Sequence, residues 1–481
     1  MNEGDGAGLR HRVTAPGTTG SRSKLVALIV ATAFFMQNLD GAIITTSLPQ
    51  MAASFGVRPL DLSIGVTAYL IAVAALIPVS GWLSDRLGAR ALFAGSILIF
   101  TLASIGCGAA QSLAQFTAMR VVQGAGGALM ATAGRLIVLR HATKAELLDV
   151  TALITWPALI APVIGPALGG FITTYASWRW NFLLNIPIGA LGLACVLAFV
   201  PAQQDEPVGR FDWTGFVLSA TALVALLAGL EGYAGQGRTL TAPTLLVLSG
   251  LGVGALAVRH FRRATAPLLD LAALDHPTFA LSTLGPGFTT RIAINAVPFL
   301  LPLLFQLGFG LSAADAGLLI LVYFLGNLGM KAVTTPTLRR HGFRTTLIVS
   351  GVIGSGAIAA CALLTATTPM WVTGAVLLVA GLTRSMQFTA INTIAFADVT
   401  PAQRGSATAL SAMMHHVTMV LGVAGAAVVL NLAQAAAGRS ESTLADFAIA
   451  FAATGALALA SAMWFRRLAP GAGAEVTGAT R

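Results

Sequence analysis

Fourteen apolar stretches, most of them about 20 residues long, run through the 481-residue chain and leave it few folds to choose from. They lie near 25–49, 62–82, 91–110, 114–136, 151–173, 181–200, 213–231, 243–259, 278–305, 315–335, 345–365, 370–395, 405–434 and 446–465. A helix needs about 20 apolar residues to cross the hydrocarbon of a bilayer. Hydrophobic residues make up 56% of the chain and charged residues only 10%, so the stretches read as membrane spans and not as cores of soluble domains. Pro286 and Pro298 interrupt the ninth stretch and predict a break or kink beside a cavity. The first stretch is too long for the apolar part of a signal peptide and lacks a small-residue cleavage pattern, which predicts an uncleaved first span.

Charge orients this map. With the amino terminus inside, nineteen of the 28 Lys and Arg residues fall on the inner side, including Arg10, Arg12, Lys144, Arg210 and Arg481. Only Arg58, Arg179, Arg238 and Arg439 fall outside. Cationic loops stay cytoplasmic, so both termini are expected inside and the number of spans is even. The net charge of +10 is thereby explained by topology, without a nucleic-acid partner. The longer inner connections predict a cytoplasmic tail over 1–24, a six-helix bundle over 25–200, two linker helices over 201–277, a second six-helix bundle over 278–466 and a tail over 467–481.

Five cations remain inside apolar stretches: Arg120, Arg135, Arg291, Lys331 and Arg384. One acid, Asp40, is comparably deep. A charge at the bilayer centre costs about 2.5–3.5 kcal/mol on insertion scales, so such residues normally face a watery cavity or a partner. Arg135, close to the inner end of its span, is also able to snorkel to the interface. Cys107, Cys195 and Cys361 have no paired spacing and read as buried small hydrophobes, with no disulfide framework and no metal site.

Two blocks of six suggest an internal repeat. Gly81-Trp-Leu-Ser-Asp-Arg-Leu-Gly-Ala-Arg90 lies between the second and third spans, and Thr337-Leu-Arg-Arg-His-Gly-Phe-Arg344 lies at the corresponding place in the second block. Gly88 aligns with Gly342 and Arg90 with Arg344, while Asp85 faces Arg339. Transporters place substrate sites at the interface of such repeats.

The stretch Gly81 to Arg90 resembles the signature loop of the major facilitator superfamily. Leu39-Asp-Gly-Ala-Ile-Ile-Thr-Thr-Ser-Leu-Pro49 resembles the first-helix motif of its fourteen-helix drug:proton antiporters, and Arg120-Val-Val-Gln-Gly-Ala-Gly126 the fourth-helix motif. Gly165-Pro-Ala-Leu-Gly-Gly170 resembles the fifth-helix antiporter motif, followed by Trp178-Arg-Trp-Asn-Phe-Leu-Leu-Asn-Ile-Pro-Ile-Gly189. Order, spacing and helix placement agree over the whole helical region. The chain is similar to the EmrB/QacA branch, most of all to an MdtD-like group. The resemblance implies an all-helical integral membrane fold with two six-helix bundles and two additional helices, and an activity of proton-coupled export.

Site residues follow from the motifs and from elementary chemistry. Gly81, Asp85, Arg86, Gly88 and Arg90 with Asp149 form a candidate gate, in which Arg86 is expected to pair with Asp149 or Glu146; the alternative is a plain cationic turn. Arg120 among small residues reaches a neighbouring helix, and the resemblance links it to proton coupling; the alternative is a structural arginine on backbone carbonyls. Asp40 is the candidate proton carrier, against a permanent ion pair. Pro162, Gly165, Pro166, Gly169 and Gly170, with Pro157, combine kinks with a small-residue face, and by resemblance seal one side of the cavity and mark an exporter. Arg291 with Asn295, Asn327 with Lys331, and Arg384 with Gln387 and Asn392 are spaced to line a polar stripe toward the substrate. His415 and His416 read either as titrating groups or as packing residues.

The chain carries no phosphate-binding loop, HExxH or nucleophile elbow, which argues against an enzyme and against ATP as the energy source. No cofactor or metal is expected; the partners are a small molecule, protons and the bilayer, with the chain a monomer in a bacterial inner membrane. Drug exporters of this branch resemble one another in further acids in late helices, which this sequence lacks. The excess of embedded cations therefore points to anionic or amphipathic substrates, with a dedicated exporter of organic anions, carboxylates or metal chelates as the alternative. A non-transporting sensor or scaffold is the reading from another class, disfavoured by the short tails.

Overall fold

The computed structural model describes residues 19–141, 146–201, 211–233, 241–265, 267–401, 403–439 and 441–477. Arg10, Arg12, Lys144, Arg210, Arg238 and Arg481, used above for orientation, lie outside the described residues, as do 1–18 and 478–481 of the two tails. All regular structure among the described residues is helical. The spans are α1 Ser23–Phe55, α2 Pro59–Leu87, α3 Ala89–Ala109, α4 Leu113–Arg140, α5 Asp149–Tyr175, α6 Trp180–Phe199, α7 Trp213–Gly232 and α8 Thr241–Phe261. They continue with α9 Pro277–Gly308, α10 Ala313–Gly329, α11 Lys331–Leu363, α12 Met370–Ala395, α13 Arg404–Ala436 and α14 Leu444–Arg467. Thirteen are long and apolar enough to cross a membrane, and α10 is a shorter apolar helix that runs on through Met330 into α11.

Each expected stretch meets helix, and the differences have local causes. The ninth breaks at Gly285, where Pro286 restarts the helix at its first turn, the place where a missing N–H costs nothing. Pro298 stays inside the helix, and a π-helical turn over Leu304–Gly308 follows Pro302. Between the tenth and eleventh crossings the chain turns at Gly342, inside α11, and not at the end of α10. Gly342 has φ 71° and ψ 168°, and Gly88, its counterpart in the first block, has φ 83° and ψ 133°. Gly342 has open space at its Cβ position, and the positive φ of both glycines disfavours a side chain, so the repeat is visible in conformation where few residues match.

The six helices α1–α6 pack among themselves, as do α9–α14. The two sets meet along two seams, α5 against α10 and α2 against α13. The linker helices α7 and α8 pack chiefly on each other, with α7 also touching α2 and α13. The outward face of α8 carries Leu245, Leu248, Leu251 and Leu256, all more than half exposed, as expected of a lipid-facing surface. On the inner side Asp212 caps α7: its carboxylate accepts from the backbone N–H of Gly215 and Leu268 and meets His260 at 2.8 Å. Burial pushes this carboxyl up, but those backbone donors and His260 together outweigh it and hold it below the usual carboxylate range.

Every hydrogen bond between the two sets, among the described residues, lies at the end that carries the loops after α1, α5, α9 and α13. Charge counting makes this the outer end. Gln50 donates to Gln306 Oε1 at 3.1 Å, Gln306 Nε2 donates to the Thr46 carbonyl at 2.9 Å, Arg58 donates to Asn431 at 3.1 Å, and the Ala314 N–H donates to Thr174 at 3.1 Å.

Candidate functional site

Asp40 in α1 and Arg120 in α4 are brought together, each 1% exposed. Arg120 Nη1 donates to Asp40 Oδ2 at 2.6 Å, and the Gln123 and Asn185 amides each donate to Oδ1 at 2.9 Å. Gln123 stands one turn after Arg120 on α4, and Asn185 opens the long helical part of α6, so three helices converge on one carboxylate. Arg120 Nε also donates to the Gly65 carbonyl at 3.2 Å, and the guanidinium lies 4.3 Å from the Tyr69 ring centre. Ser104 accepts from both amides. Desolvating such a pair is compensated only by complete hydrogen bonding, and here both carboxylate oxygens are met. Gly124 makes the approach possible, because a Cβ there would strike the Tyr69 carbonyl of α2.

The second set of helices holds its cations differently. Arg291 is 1% exposed; it donates to the Ser282 carbonyl and to Asn392 Oδ1, both at 2.7 Å, and leaves Nε without a partner. Lys331 donates to Thr389 at 2.8 Å. Arg384 makes no hydrogen bond to a described residue; its guanidinium rests 5.7 Å from Phe324 and 6.0 Å from Tyr323, and its buried Nε is unpartnered. A small cavity within this set is lined by Thr290, Tyr323, Ser350, Thr383, Arg384 and Gln387. Of the expected polar stripe, Arg384 and Gln387 reach this cavity, whereas Arg291, Asn295, Asn327, Lys331 and Asn392 are not part of its wall. Asn295 Nδ2, Gln387 Oε1 and Nδ1 of both His415 and His416 are further buried polar atoms with no partner among the described residues. Arg135 is exposed.

At the inner end the expected pairing of Arg86 with Asp149 or Glu146 is not formed. Arg86 stacks on Trp82, one turn back on the same helix, at 5.1 Å. Asp85 is met by Arg140 at 3.2 Å, Glu146 accepts from Ser23 at 3.2 Å, and Asp149 is exposed without an ion pair to a described residue. Arg140 ends α4 beside the end of α2, so it reaches Asp85 first. Arg90 donates to the Leu197 carbonyl at 2.7 Å, which ties α3 to α6. Gly81 has open space at its Cβ position.

The α5 motif faces two neighbours. Gly165 and Gly169 lie on α1, where a Cβ at Gly165 would come 2.7 Å from Ala42 Cβ and one at Gly169 would strike the Ile43 carbonyl. Gly170 would strike the Ala313 carbonyl of α10, and Gly317 of α10 would strike the Pro166 carbonyl. Pro157, Pro162 and Pro166 all sit inside α5, and Thr46 donates to the Pro166 carbonyl at 3.2 Å.

Sequence reading passed over Gln50, Gln306 and Glu231. The two glutamines carry no charge to mark them, and Glu231 stands at the edge of its apolar stretch. Its signal was present, an acid with no basic neighbour in the last turn of a span. The Trp178 motif proves to be a clasp: Trp178 Nε1 donates to Ser54 at 2.9 Å, and Arg179 donates to the carbonyls of Gly108 and Ala110 at 2.9 and 2.7 Å.

Comparison with known proteins places this geometry. The sequence matches the Major Facilitator Superfamily over residues 30–423, with a second match over 285–480. Proteins named multidrug resistance protein MdtD are similar over most of their length. The one from Pectobacterium carotovorum is 36% identical over 408 residues, 84% of this chain and 86% of its own. Those from Serratia proteamaculans and Cronobacter sakazakii are 35% and 36% identical, each across 84% of this chain and 84% and 85% of their own. Among solved structures, a D-xylose–proton symporter superposes with TM-score 0.65 at 14% identity, covering 92% of this chain and 97% of its own. A POT family peptide transporter gives TM-score 0.65 at 17% identity with the same coverages. Such distant likeness speaks for the shared fold alone, but the profile match and the close relatives go further: this chain is a multi-pass membrane transporter of the Major Facilitator Superfamily, similar to multidrug resistance proteins of the MdtD group and not an enzyme.

Proposed function

We propose that the chain is a proton-coupled antiporter in the bacterial inner membrane that exports amphipathic or anionic small molecules of the multidrug type. The observation that carries this reading is the buried Asp40–Arg120 pair at 2.6 Å, a titratable carboxylate at bilayer depth held by a network that a single proton rearranges. A proton arriving on Asp40 removes the charge that Arg120 pairs with; Arg120 keeps Gly65 and Gln123, and the convergence of α1, α4 and α6 loosens. The relatives' names support drug export, and the kinked, glycine-faced α5 motif of Pro162, Gly165, Pro166, Gly169 and Gly170 accords with it. The ties at the outer end support reading this conformation as closed to the outside. In that state the intact Asp40–Arg120 pair corresponds, on this reading, to the stage after proton release. Asp85 with Arg140, together with Gly81, Arg86, Gly88, Arg90 and Asp149, is the inner latch in this reading, a role supported by the Asp85–Arg140 pair and not by Arg86, which stacks on Trp82.

Arg384 supports a second reading, a dedicated exporter of organic anions or carboxylates. A guanidinium in a small, largely apolar cavity, without an acceptor from the described residues, offers a bidentate hold to a carboxylate. Arg291 and Lys331 are occupied by Asn392, Ser282 and Thr389 and supply background positive charge.

The test is reconstitution into vesicles with an imposed pH gradient, with a panel of cationic drugs and organic anions. Gradient-driven accumulation that Asp40→Asn abolishes while substrate exchange persists is the expected result. Accumulation indifferent to the gradient sinks the proton reading; efflux of cationic dyes undiminished by di- and tricarboxylates sinks the anion preference.

A further inference from the structure

Glu231, in the last turn of α7, is a buried carboxyl group with no place in the export scheme above. Three acids are buried among the described residues. Asp40 is paired with Arg120 and Asp446 with Arg439, but Glu231, 8% exposed, forms no ion pair with a described residue. Ser63 Oγ donates to its Oε1 at 2.5 Å, and Oε2 has no partner. Charged and titratable groups of the helices packed on α7 are engaged elsewhere or distant along the chain. On the α2 side Arg58 and Asp61 pair with each other, and Tyr69 lies under Arg120. On α8, Arg259 and His260 sit at the opposite, inner end. On α13, Arg404 starts the helix at its inner end and His415 and His416 follow within the span, while Arg439 beyond its outer end belongs to Asp446. A carboxylate anion in this place leaves its charge uncompensated, whereas the neutral acid fits.

The position is as informative as the burial. Ser63 directly follows the turn Pro59–Leu62, and Arg58 at the head of that turn makes the bond across the seam to Asn431. The helix that carries Glu231 touches both α2 and α13, the two sides of that seam. A parting of α2 from α13 at the outer end would run beside the Ser63–Glu231 contact and open it to outer water.

We propose that Glu231 is a proton-binding site of the outer seam, protonated while the two sets of helices are tied and ionised when the seam opens, so that external acidity favours closure. On closing, one proton moves from outer water to a Glu231 oxygen, and on opening it returns to the same side. The cycle therefore carries no net proton through Glu231; it sets the external pH at which the transporter turns over. Its consequence for transport rests on the antiport reading, while the site itself stands on geometry.

The experiment uses the full chain in vesicles. Infrared difference spectroscopy reads the carbonyl band of a protonated carboxylic acid, and distances between spin labels at the exposed positions Ala53 and Ala437 read the outer seam. In the wild-type protein the band is expected at neutral pH. The open-to-closed ratio should rise with external pH, by up to about tenfold per unit for one linked proton. In Glu231→Gln the band disappears and the ratio becomes flat. Ser63→Ala, which keeps the acid, moves the midpoint of both signals together and serves if Glu231→Gln does not fold. A wild-type protein without the band, or a Glu231→Gln protein that keeps the pH response, overturns the proposal. Band and response intact without gradient-driven export would overturn the antiport reading alone.

Discussion

The two halves of this transporter hold their buried charge in opposite ways. In α1–α6, the deep cation Arg120 has a carboxylate, one amide and a carbonyl arranged around it, and the carboxylate takes a second amide from Asn185. In α9–α14, Arg291 leans on a backbone carbonyl and an amide, Arg384 on aromatic faces, and no acid stands in the sequence between Asp315 and Asp398. The first arrangement is self-sufficient and the second is not. A repeat that duplicated the backbone, down to a left-handed glycine at 88 and 342, has let one copy specialise in internal balance and the other in positive charge seeking a partner from outside.

That contrast is easiest to break at Arg120. Arg120→Ala strands a buried carboxylate and is expected to cost about 3–5 kcal/mol, read as a large drop in thermal unfolding temperature in detergent. Arg384→Ala strands nothing and should leave that temperature nearly unchanged; equal destabilisation by the two would erase the distinction. Function should show the reverse sensitivity. Arg384→Gln is expected to raise KM for an anionic substrate about 10–100-fold, the worth of one charge-assisted hydrogen bond, with little change for a neutral one. A smaller effect sharpens the repeat. Gly342→Ala forces a side chain into a conformation suited to glycine and should cost about 1–3 kcal/mol, with Gly88→Ala comparable, measured by the same unfolding assay. Smallest is the pH effect at Asp212. Its carboxyl is held below the usual range in the folded chain, so its contribution is present above that usual range and is lost as pH falls through the lowered value. Proteolysis of the α6–α7 connection should accelerate only on acidification, and Asp212→Asn should remove that acid step.

Much of the fold was legible because a bilayer demands whole apolar turns, and each of the fourteen stretches meets helix. The exception at the tenth is instructive: polar residues from Lys331 to His341 continue the helix, since backbone hydrogen bonding persists where hydropathy ends, and only Gly342 turns the chain. Asp40 and Arg120 were recognisable singly as charges at depth, and the structure supplies what spacing within one helix cannot, their meeting across 80 positions. The polar stripe of the second half was less legible. Asn327 and Lys331 keep their helical spacing through Met330, yet neither reaches the cavity and Lys331 donates to Thr389, while Arg291 turns to Asn392 in place of a cavity. Arg86 misled because a sequence shows its charge but not the competing surface of Trp82 one turn away. Gln50 and Gln306 gave no warning, since neutral amides look alike wherever they stand.

The seam between α5 and α10 has a mechanical consequence. Where Gly170 and Pro166 meet Ala313 and Gly317, backbone lies on backbone, and the Ala314 N–H bond to Thr174 is the one hydrogen bond between the two helices among the described residues. Such a contact behaves as a bearing: once that single bond parts, glycine surfaces leave little to stop one helix sliding along the other. The α2 and α13 side has Arg58 hooked to Asn431 and α7 laid alongside. Motion of the two halves should therefore pivot on the smooth side and swing on the latched one.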